Sequence, residues 1–382
     1  MSRKQDRSVA VVGGGVIGLS TAWRLAVAGH RVRLIDPAPA SGGASRAAGG
    51  MLAPVAEAWP GEESLLELGT ASLHRWPEFA ERLGRDSGKP SGLRDEGTLV
   101  VAADSADRAE LDTLADYLAS LGRTVNRHSS RRLRRLEPAL GPGVRGGLEV
   151  PGDLAVDNRA TLEALRAAAE VAGVEFVRAA ARGVRSGTVE LVDAADPEPG
   201  LSGSVVHCDV VVIAAGVQTG ALHPALRGAI RPVKGEILRL RARSTSVPPP
   251  RWTVRGPVHG RQVYLVPRED GMVIGATQYE AGYDTEVTVG GVRNLLADAE
   301  RFVPGITEYA LVETAAGLRP STEDNLPLLG WVEPGVLVAA GHHRNGFLLA
   351  PITAETVVGL VSGDEVATEA KAADPSRSGG QQ

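Results

Sequence analysis

Gly341 to Pro351 reads GHHRNGFLLAP, with two histidines, an arginine and an asparagine between glycines at the point where an apolar run ends and a helix is predicted. A turn of this kind offers free N–H groups and the positive end of a helix dipole, a combination that stabilises negative charge. Near the start of the chain, GGGVIG supplies a G-x-G-x-x-G spacing through Gly13, Gly15 and Gly18. The first glycine of such a set permits a sharp turn, the second lets backbone approach a pyrophosphate, and the third brings helix against strand. Asp36 follows Gly18 by 18 residues. A carboxylate there accepts hydrogen bonds from a ribose and disfavours a 2′-phosphate, so the pattern predicts a dinucleotide other than NADP.

These residues need particular elements to hold them. Residues 9–12 form a β-branched run, 18–28 have helical character, Gly29 stops the helix, and 31–36 read as the next strand. CDVVVIAAG, ending at Gly216, and GVLVAAG, ending at Gly341, are continuously apolar, as strands covered on both faces are. Residues 261–277 alternate around Asp270-Gly271, which predicts an antiparallel hairpin. Residues 64–87, 105–122 and 158–172 read as helices, and GLRDEGTLVVAAD as a strand. The expected fold class is α/β (α+β). A Rossmann-like dinucleotide domain is assembled from 1–55, 152–222 and 310–365, interleaved with an antiparallel-sheet substrate domain from 56–151 and 223–309. The polar stretch 366–382 is expected to be a disordered tail.

Bulk properties narrow the partners. The chain has 382 residues, 43% of them hydrophobic, and a net charge of -5. That balance gives no attraction for phosphate backbones, and the basic run SRRLRRLEP (130–138) spaces its arginines like a solvated helical face, so nucleic acid is not an expected partner. No run of 18 apolar residues predicts a membrane span, and the N-terminus lacks a secretory pattern. Cys208 is the single cysteine, which excludes an internal disulfide and fits a cytoplasmic location. Forty-seven glycines exceed the usual share of roughly 7% and predict many tight turns and close backbone approaches.

Residues 37–54, PAPASGGASRAAGGMLAP, spend many small residues where a plain βαβ unit would continue into another helix and strand. A glycine and alanine loop can lie flat against a large planar ring with its N–H groups turned inward, which favours FAD over a nicotinamide dinucleotide. With VVGGGVIGLSTAWRLA, GASRAAGGML, VVIAAG, PVKGEIL, VYLVPR, VIGAT, AGLRPSTEDNLPLLG and AAGHHRNGFLLAPIT in that order, the chain resembles the D-amino-acid oxidase superfamily, most closely the bacterial glycine oxidases of thiamine biosynthesis, from Val9 to about Gly363. The resemblance implies a GR2-type FAD-binding domain with noncovalent FAD. By the same resemblance, contacts to the cofactor come from Val16, Ile17, Asp36, Ala44, Ser45, Gly49, Gly50, Met51 and the 342–348 segment: His342, His343, Arg344, Asn345, Gly346, Phe347 and Leu348. Arg182 falls near the adenine end, and Gly216 closes one sheet strand at the cofactor. The 342–348 segment would then face the flavin edge where negative charge accumulates on reduction. A zinc site at His342 and His343 is the competing reading, but adjacent histidines diverge on a turn and no acidic or cysteine cluster accompanies them.

The resemblance also implies the chemistry. The substrate carboxylate is held by Arg319, whose fork makes two parallel hydrogen bonds, with Arg344 and the Tyr264 hydroxyl beside it and Met51 and Gln278 on the pocket wall. Once the amine is unprotonated, the α-hydrogen leaves as hydride to the flavin, O2 is reduced to hydrogen peroxide, and positioning supplies most of the catalysis. Gln262 and Gln278 depart from the histidine and methionine that the resemblance leads one to expect there. Glycine is the first expected substrate, with sarcosine and small D-amino acids such as D-alanine beside it. A D-amino-acid dehydrogenase or sarcosine oxidase of the same superfamily, an NAD-dependent dehydrogenase and a noncatalytic flavin-binding protein are the alternatives. A homo-oligomer and hand-off of the imine to a thiazole synthase are compatible with the resemblance.

Overall fold

The structure is a computed structural model that describes residues 6–40, 42–192 and 203–378. Ser41 of the 37–54 loop and 379–382 of the tail lie outside the described residues.

The apolar run Ser8–Val12 lies at the centre of a six-stranded sheet. Parallel neighbours Arg31–Ile35 and Glu175–Val177 follow on one side, with Val210–Ile213 and Val336–Ala340 on the other. Leu328–Glu333 closes the edge antiparallel to Val336–Ala340. Both faces are covered at Ser8–Val12, Val210–Ile213 and Val336–Ala340, which explains why these strands lack alternation. On one face the helices Val16–Val27, Glu63–Ser87, Asn158–Val171 and Gly346–Ser362 pack Leu19, Trp23, Leu68, Trp76, Leu165 and Ile352 against Val9, Val11 and Val212. Residues from the small sheet Ala180–Arg185, Thr188–Val192 and Val205–His207 fill the other, with Val184, Val189 and Leu191 beneath Val211 and Ile213.

The second layer is an eight-stranded sheet with spatial order Ala310–Ser321, Arg231–Arg241, Gly271–Gly275, Arg261–Pro267, Thr253–Val258, Thr98–Ala102, Gly146–Val150 and Asn126–Ser129. All its pairs are antiparallel except Thr253–Val258 with Thr98–Ala102. The hairpin across Asp270-Gly271 joins two of these strands. Helix Val289–Phe302 covers one face with Leu295, Ala299 and Phe302.

Three expectations change. Helix Glu63–Ser87 falls within 56–151, expected in the substrate domain, but its apolar stripe of Leu68, Trp76, Phe79 and Leu83 packs against Trp23 and Leu165 in the helical layer of the six-stranded sheet. The third dinucleotide segment does not begin at 310, because Ala310–Ser321 pairs along its length with Arg231–Arg241 and belongs to the antiparallel sheet. The six-stranded sheet resumes only at Leu328. Residues 366–378 are not a disordered tail. Ala370 and Ala373 bury against the helical layer, and the Arg377 guanidinium bonds both Asp324 carboxylate oxygens and the Leu326 carbonyl. Two small apolar residues and one arginine fork anchor a stretch whose average polarity is high. Cys208 sits between two strands of different sheets, half-buried, and burial pushes its thiol up. Among the described residues no helix is long and apolar enough to cross a membrane.

Candidate active site

The two sheets meet around a cavity of about 820 Å³. Its first end is built by the turn after Ser8–Val12. Gly13 adopts φ 111°, and a side chain there would come 2.7 Å from the Ala214 carbonyl carbon. A Cβ on Gly18 would lie 2.9 Å from the carbonyl carbon of Gly13, so the helix seats directly on the turn. The Asp36 carboxylate, one residue past its strand, accepts from the N–H groups of Gly14 and Ala38, each at 2.7 Å. Val16 N–H donates to Ser45 Oγ at 3.0 Å, tying the helix start to the alanine-rich loop.

That loop is not wholly extended, because Gly43–Ala47 forms a short helix. Buried Asn158 fixes it by donating to the Ser45 and Arg46 carbonyls, and Arg268 donates to the Gly49 carbonyl at 2.8 Å. Ala44, Ser45, Gly49, Gly50 and Met51 consequently line the cavity, with Gly13, Gly15, Val16, Ile17, Asp36 and Gly216.

At the other end stand Arg319, Tyr264 and Arg344. The Arg319 guanidinium lies over Gly235, where an added Cβ would sit 2.5 Å from Cζ and 2.6 Å from Nη1. Its Nη1 donates to the Thr277 carbonyl at 3.1 Å, and burial lowers its pKa. Tyr264 passes between two backbones, 2.7 Å from a hypothetical Cβ on Gly49 and with its ring 2.8 Å from one on Gly275. Burial raises its hydroxyl pKa, against the opposing charge of Arg319. Arg344 reaches the Glu57 carbonyl at 3.2 Å and the carboxylates of Glu62 at 3.5 Å and Glu57 at 3.9 Å. Met51, Gln262 and Gln278 complete this wall.

Helix Gly346–Ser362 begins with Asn345 as its N-cap, and its start faces the cavity through Gly346 and Phe347. His342 is fully buried with Nε2 3.0 Å from Thr353 Oγ1. His343 takes φ 46°, donates its N–H to the Pro320 carbonyl at 2.8 Å, and sets Nδ1 3.0 Å from Ser321 Oγ. Desolvation holds both imidazoles neutral, with pKa values depressed to about 3. Each histidine thus has its own hydroxyl partner, and among the described residues no group of three or more His, Cys, Asp or Glu converges as metal ligands.

Four expected contact residues are placed elsewhere. Gly18 packs behind the turn, Arg182 is exposed while Ala179, Ala180 and Ala181 line the cavity, and Asn345 and Leu348 face a small neighbouring cavity. Glu57, Arg255, Gly235 and Asn158 were not singled out by the sequence. Arg255 is 8% exposed, lies directly across from Tyr264 in the sheet, and sets Nη1 3.1 Å from Glu57 Oε1. Only the strand register reveals it, since TVRGPV has no distinguishing motif.

The donor set fits FAD. Close-packed glycines, a helix N-terminus and a carboxylate at the first end suit a pyrophosphate and ribose, and the small residues of the loop at 44–50 leave room along the cavity wall for a ring. Residues 8–360 match the family described as "DAO: FAD dependent oxidoreductase". The chain is 33% identical over 377 residues to a glycine oxidase of Geobacillus kaustophilus, covering 96% of this chain and 95% of that one. It is 34% identical over 381 residues to a bifunctional protein ThiO/ThiG of Synechocystis sp., with 97% of this chain but 54% of that one covered, so it spans about half of that relative. The crystal structure of glycine oxidase from Geobacillus kaustophilus superposes with a TM-score of 0.86 at 32% identity, covering 97% of this chain and 99% of that one.

Proposed function

Because the chain belongs to the DAO family of FAD dependent oxidoreductases, we propose that it is a flavoprotein glycine oxidase that converts glycine to its imine and reduces O2 to hydrogen peroxide. The observation that carries this reading is one cavity with a dinucleotide cradle at one end and a half-buried arginine beside a tyrosine at the other. FAD, held noncovalently by the glycine turn, Asp36, the 44–51 loop and the 342–347 segment, supplies the two-electron acceptor and the route to oxygen.

The chain's own residues do the rest. Arg319 clamps the substrate carboxylate, and its fixed Nη1 leaves the remaining donors for two parallel bonds. Tyr264 donates its hydroxyl to the same carboxylate, and Arg344, anchored by Glu57 and Glu62, adds positive potential. Neutral His342 and His343 keep further positive charge away from an amine that must be unprotonated to react. Met51 and Gln278 bound the space beside Cα, so glycine, sarcosine and small D-amino acids are the substrates. The dinucleotide part comprises 6–55, helix Glu63–Ser87, 152–192, 203–222 and 328–378, and the substrate part carries the antiparallel sheet. The fused relatives named ThiO/ThiG support supply of the imine to a thiazole synthase.

Anaerobic mixing of the yellow protein with glycine, sarcosine and D-alanine tests the reading. Bleaching is expected, followed on admitting air by one peroxide per substrate consumed. Bleaching without peroxide would make the protein a dehydrogenase, and no bleaching with any of the three refutes the glycine oxidase reading.

A further inference from the structure

The loop that borders the cavity at 44–50 is held from behind by cations that the carboxylate clamp does not use. Arg268 is 8% exposed and lies off the cavity wall; its Nη2 donates to the Gly49 carbonyl at 2.8 Å and to Asn158 Oδ1 at 3.3 Å. Arg239 is 9% exposed, and its Nη2 donates to Asn158 Oδ1 at 3.0 Å and to the Arg46 carbonyl at 3.3 Å. Asn158 Nδ2 in turn holds the Ser45 and Arg46 carbonyls. Three carbonyls of one loop are thus drawn towards two buried guanidiniums and the amide between them.

A planar trans peptide sets its N–H opposite its C=O. With the Gly49 carbonyl turned to Arg268, the Gly50 N–H is directed away from it, on the stretch where Gly49 and Gly50 line the cavity. Among the described residues no hydrogen bond uses that N–H, whereas the Gly50 carbonyl accepts from Val156 at 2.7 Å. Glycine is required here, because φ is 83° and an added Cβ would strike the Val156 carbonyl. The cations are also less screened than their counter-ions. Arg94, Arg159 and Arg268 have carboxylates within 3.5 Å at Glu96, Glu313 and Asp157, but among the described residues Arg239 has none within 4 Å, and its buried Nε has no hydrogen-bond partner. The Asp157 and Glu313 side chains are 37% and 35% exposed, so water weakens their field more than that of the two buried arginines. Burial lowers the Arg239 pKa to about 10, which leaves it charged at neutral pH.

We propose that Arg268, backed by Arg239 through Asn158, is a positioning residue: it keeps the Gly50 N–H presented to the flavin and sets a fixed positive potential behind the 44–50 loop that favours negative charge on the ring. Hydrogen bonds to a flavin and charge near it tune its electron affinity, and that is the property these two arginines control. The proposal rests on FAD binding along this wall and is independent of which amine is oxidised.

Sulfite titration and redox potentiometry of the holoenzyme read this property without turnover. Sulfite adds to the oxidised ring and leaves negative charge on it, so its Kd follows the potential there. Arg268→Met should raise the sulfite Kd roughly tenfold, the scale of removing one charge from a partly screened interior, and lower the two-electron midpoint potential by the equivalent of about 30 mV. Arg268→Lys, which keeps the charge, should restore most of both. Arg239→Gln, which keeps a donor for Asn158 and removes the charge, should move both readings the same way by roughly threefold, because it acts from one residue further back. If Arg268→Met does not fold or does not retain FAD, Arg239→Gln decides. A sulfite Kd within about twofold of wild type in the flavin-loaded variants overturns the proposal, as do equal losses in Arg268→Met and Arg268→Lys, which would confine Arg268 to packing the loop. Failure of glycine, sarcosine and D-alanine to bleach the flavin would remove the glycine oxidase reading and leave this one to be decided by sulfite alone.

Discussion

Replacing Gly235 by alanine tests the carboxylate clamp without touching any polar group. The new methyl would stand 2.5 Å from Arg319 Cζ and 2.6 Å from Nη1. Ordinary contacts between such atoms are about 3.5–4.0 Å, so the guanidinium must retreat by roughly 1 Å. Its 3.1 Å bond to the Thr277 carbonyl cannot survive that shift in place. A misplacement of about 1 Å costs on the order of a hundredfold, which is about 2.7 kcal/mol of transition-state stabilisation. The backbone itself tolerates alanine, because Gly235 is not among the residues with positive φ. The substitution stiffens the unfolded chain by about 0.4–1 kcal/mol, which offsets part of the steric cost. Initial rates of peroxide formation over a range of glycine concentrations should therefore show kcat/KM down about a hundredfold, with flavin content and Tm near wild type. A Gly235→Ala protein whose kcat/KM stays within twofold of wild type would refute the placement of Arg319 at the substrate.

Three other outcomes follow from the same structure. Arg319→Ala should weaken substrate binding by roughly 2–5 kcal/mol, as for loss of a desolvated charge partner, while the protein still purifies yellow; colourless protein would assign Arg319 to the cofactor or the fold. Asp36→Ala removes the acceptor for Gly14 and Ala38 N–H groups and should lower flavin occupancy after dialysis, measured as the ratio of visible to protein absorbance. The pH dependence of Tm has two parts. His342 and His343 have folded pKa values of about 3 against 6.5 unfolded, so their contribution is complete above pH 6.5 and is lost as pH falls towards 3, at up to about 1.4 kcal/mol per pH unit each. Asp153 has the opposite sign: its folded pKa of about 7 exceeds the unfolded 3.8, so stability is lost as pH rises between those values. Asp153→Asn should flatten the neutral-side decline, and an unchanged Tm profile from pH 5 to 8 would contradict the assignment.

What the sequence revealed depended on how local each signal was. The βαβ start was legible because glycine spacing, a β-branched run and Asp36 all fall within a few dozen residues. The hairpin at Asp270-Gly271 was legible for the same reason. Ala310–Ser321 was misassigned because its partner, Arg231–Arg241, lies some 80 residues earlier and nothing local distinguishes which sheet it joins. The packing of 366–378 depends on Asp324 and Leu326 presenting acceptors to Arg377, which polarity averages cannot register. At the candidate site, Arg319, Tyr264 and the 342–347 segment entered through motifs. Glu57 and Arg255 emerge only when the register sets Arg255 beside Tyr264 and the loop after Met51 brings Glu57 to the same wall. Gly235 was visible as part of PVKGEIL, but its reason, the guanidinium lying on its backbone, is a fact of three dimensions.

The strand that carries Arg319 does not end in free loop. Ser321 bridges to His342, Pro320 accepts the His343 N–H, and the Ser321 hydroxyl meets the His343 ring. This crossbeam welds the guanidinium to the segment that opens the last helix, leaving neither able to drift alone. Directed evolution aimed at one end of the cavity will therefore be felt at the other: libraries at His342 or His343 should alter substrate preference, and a shift in the Pro320–Ser321 backbone should register in the colour of the bound flavin.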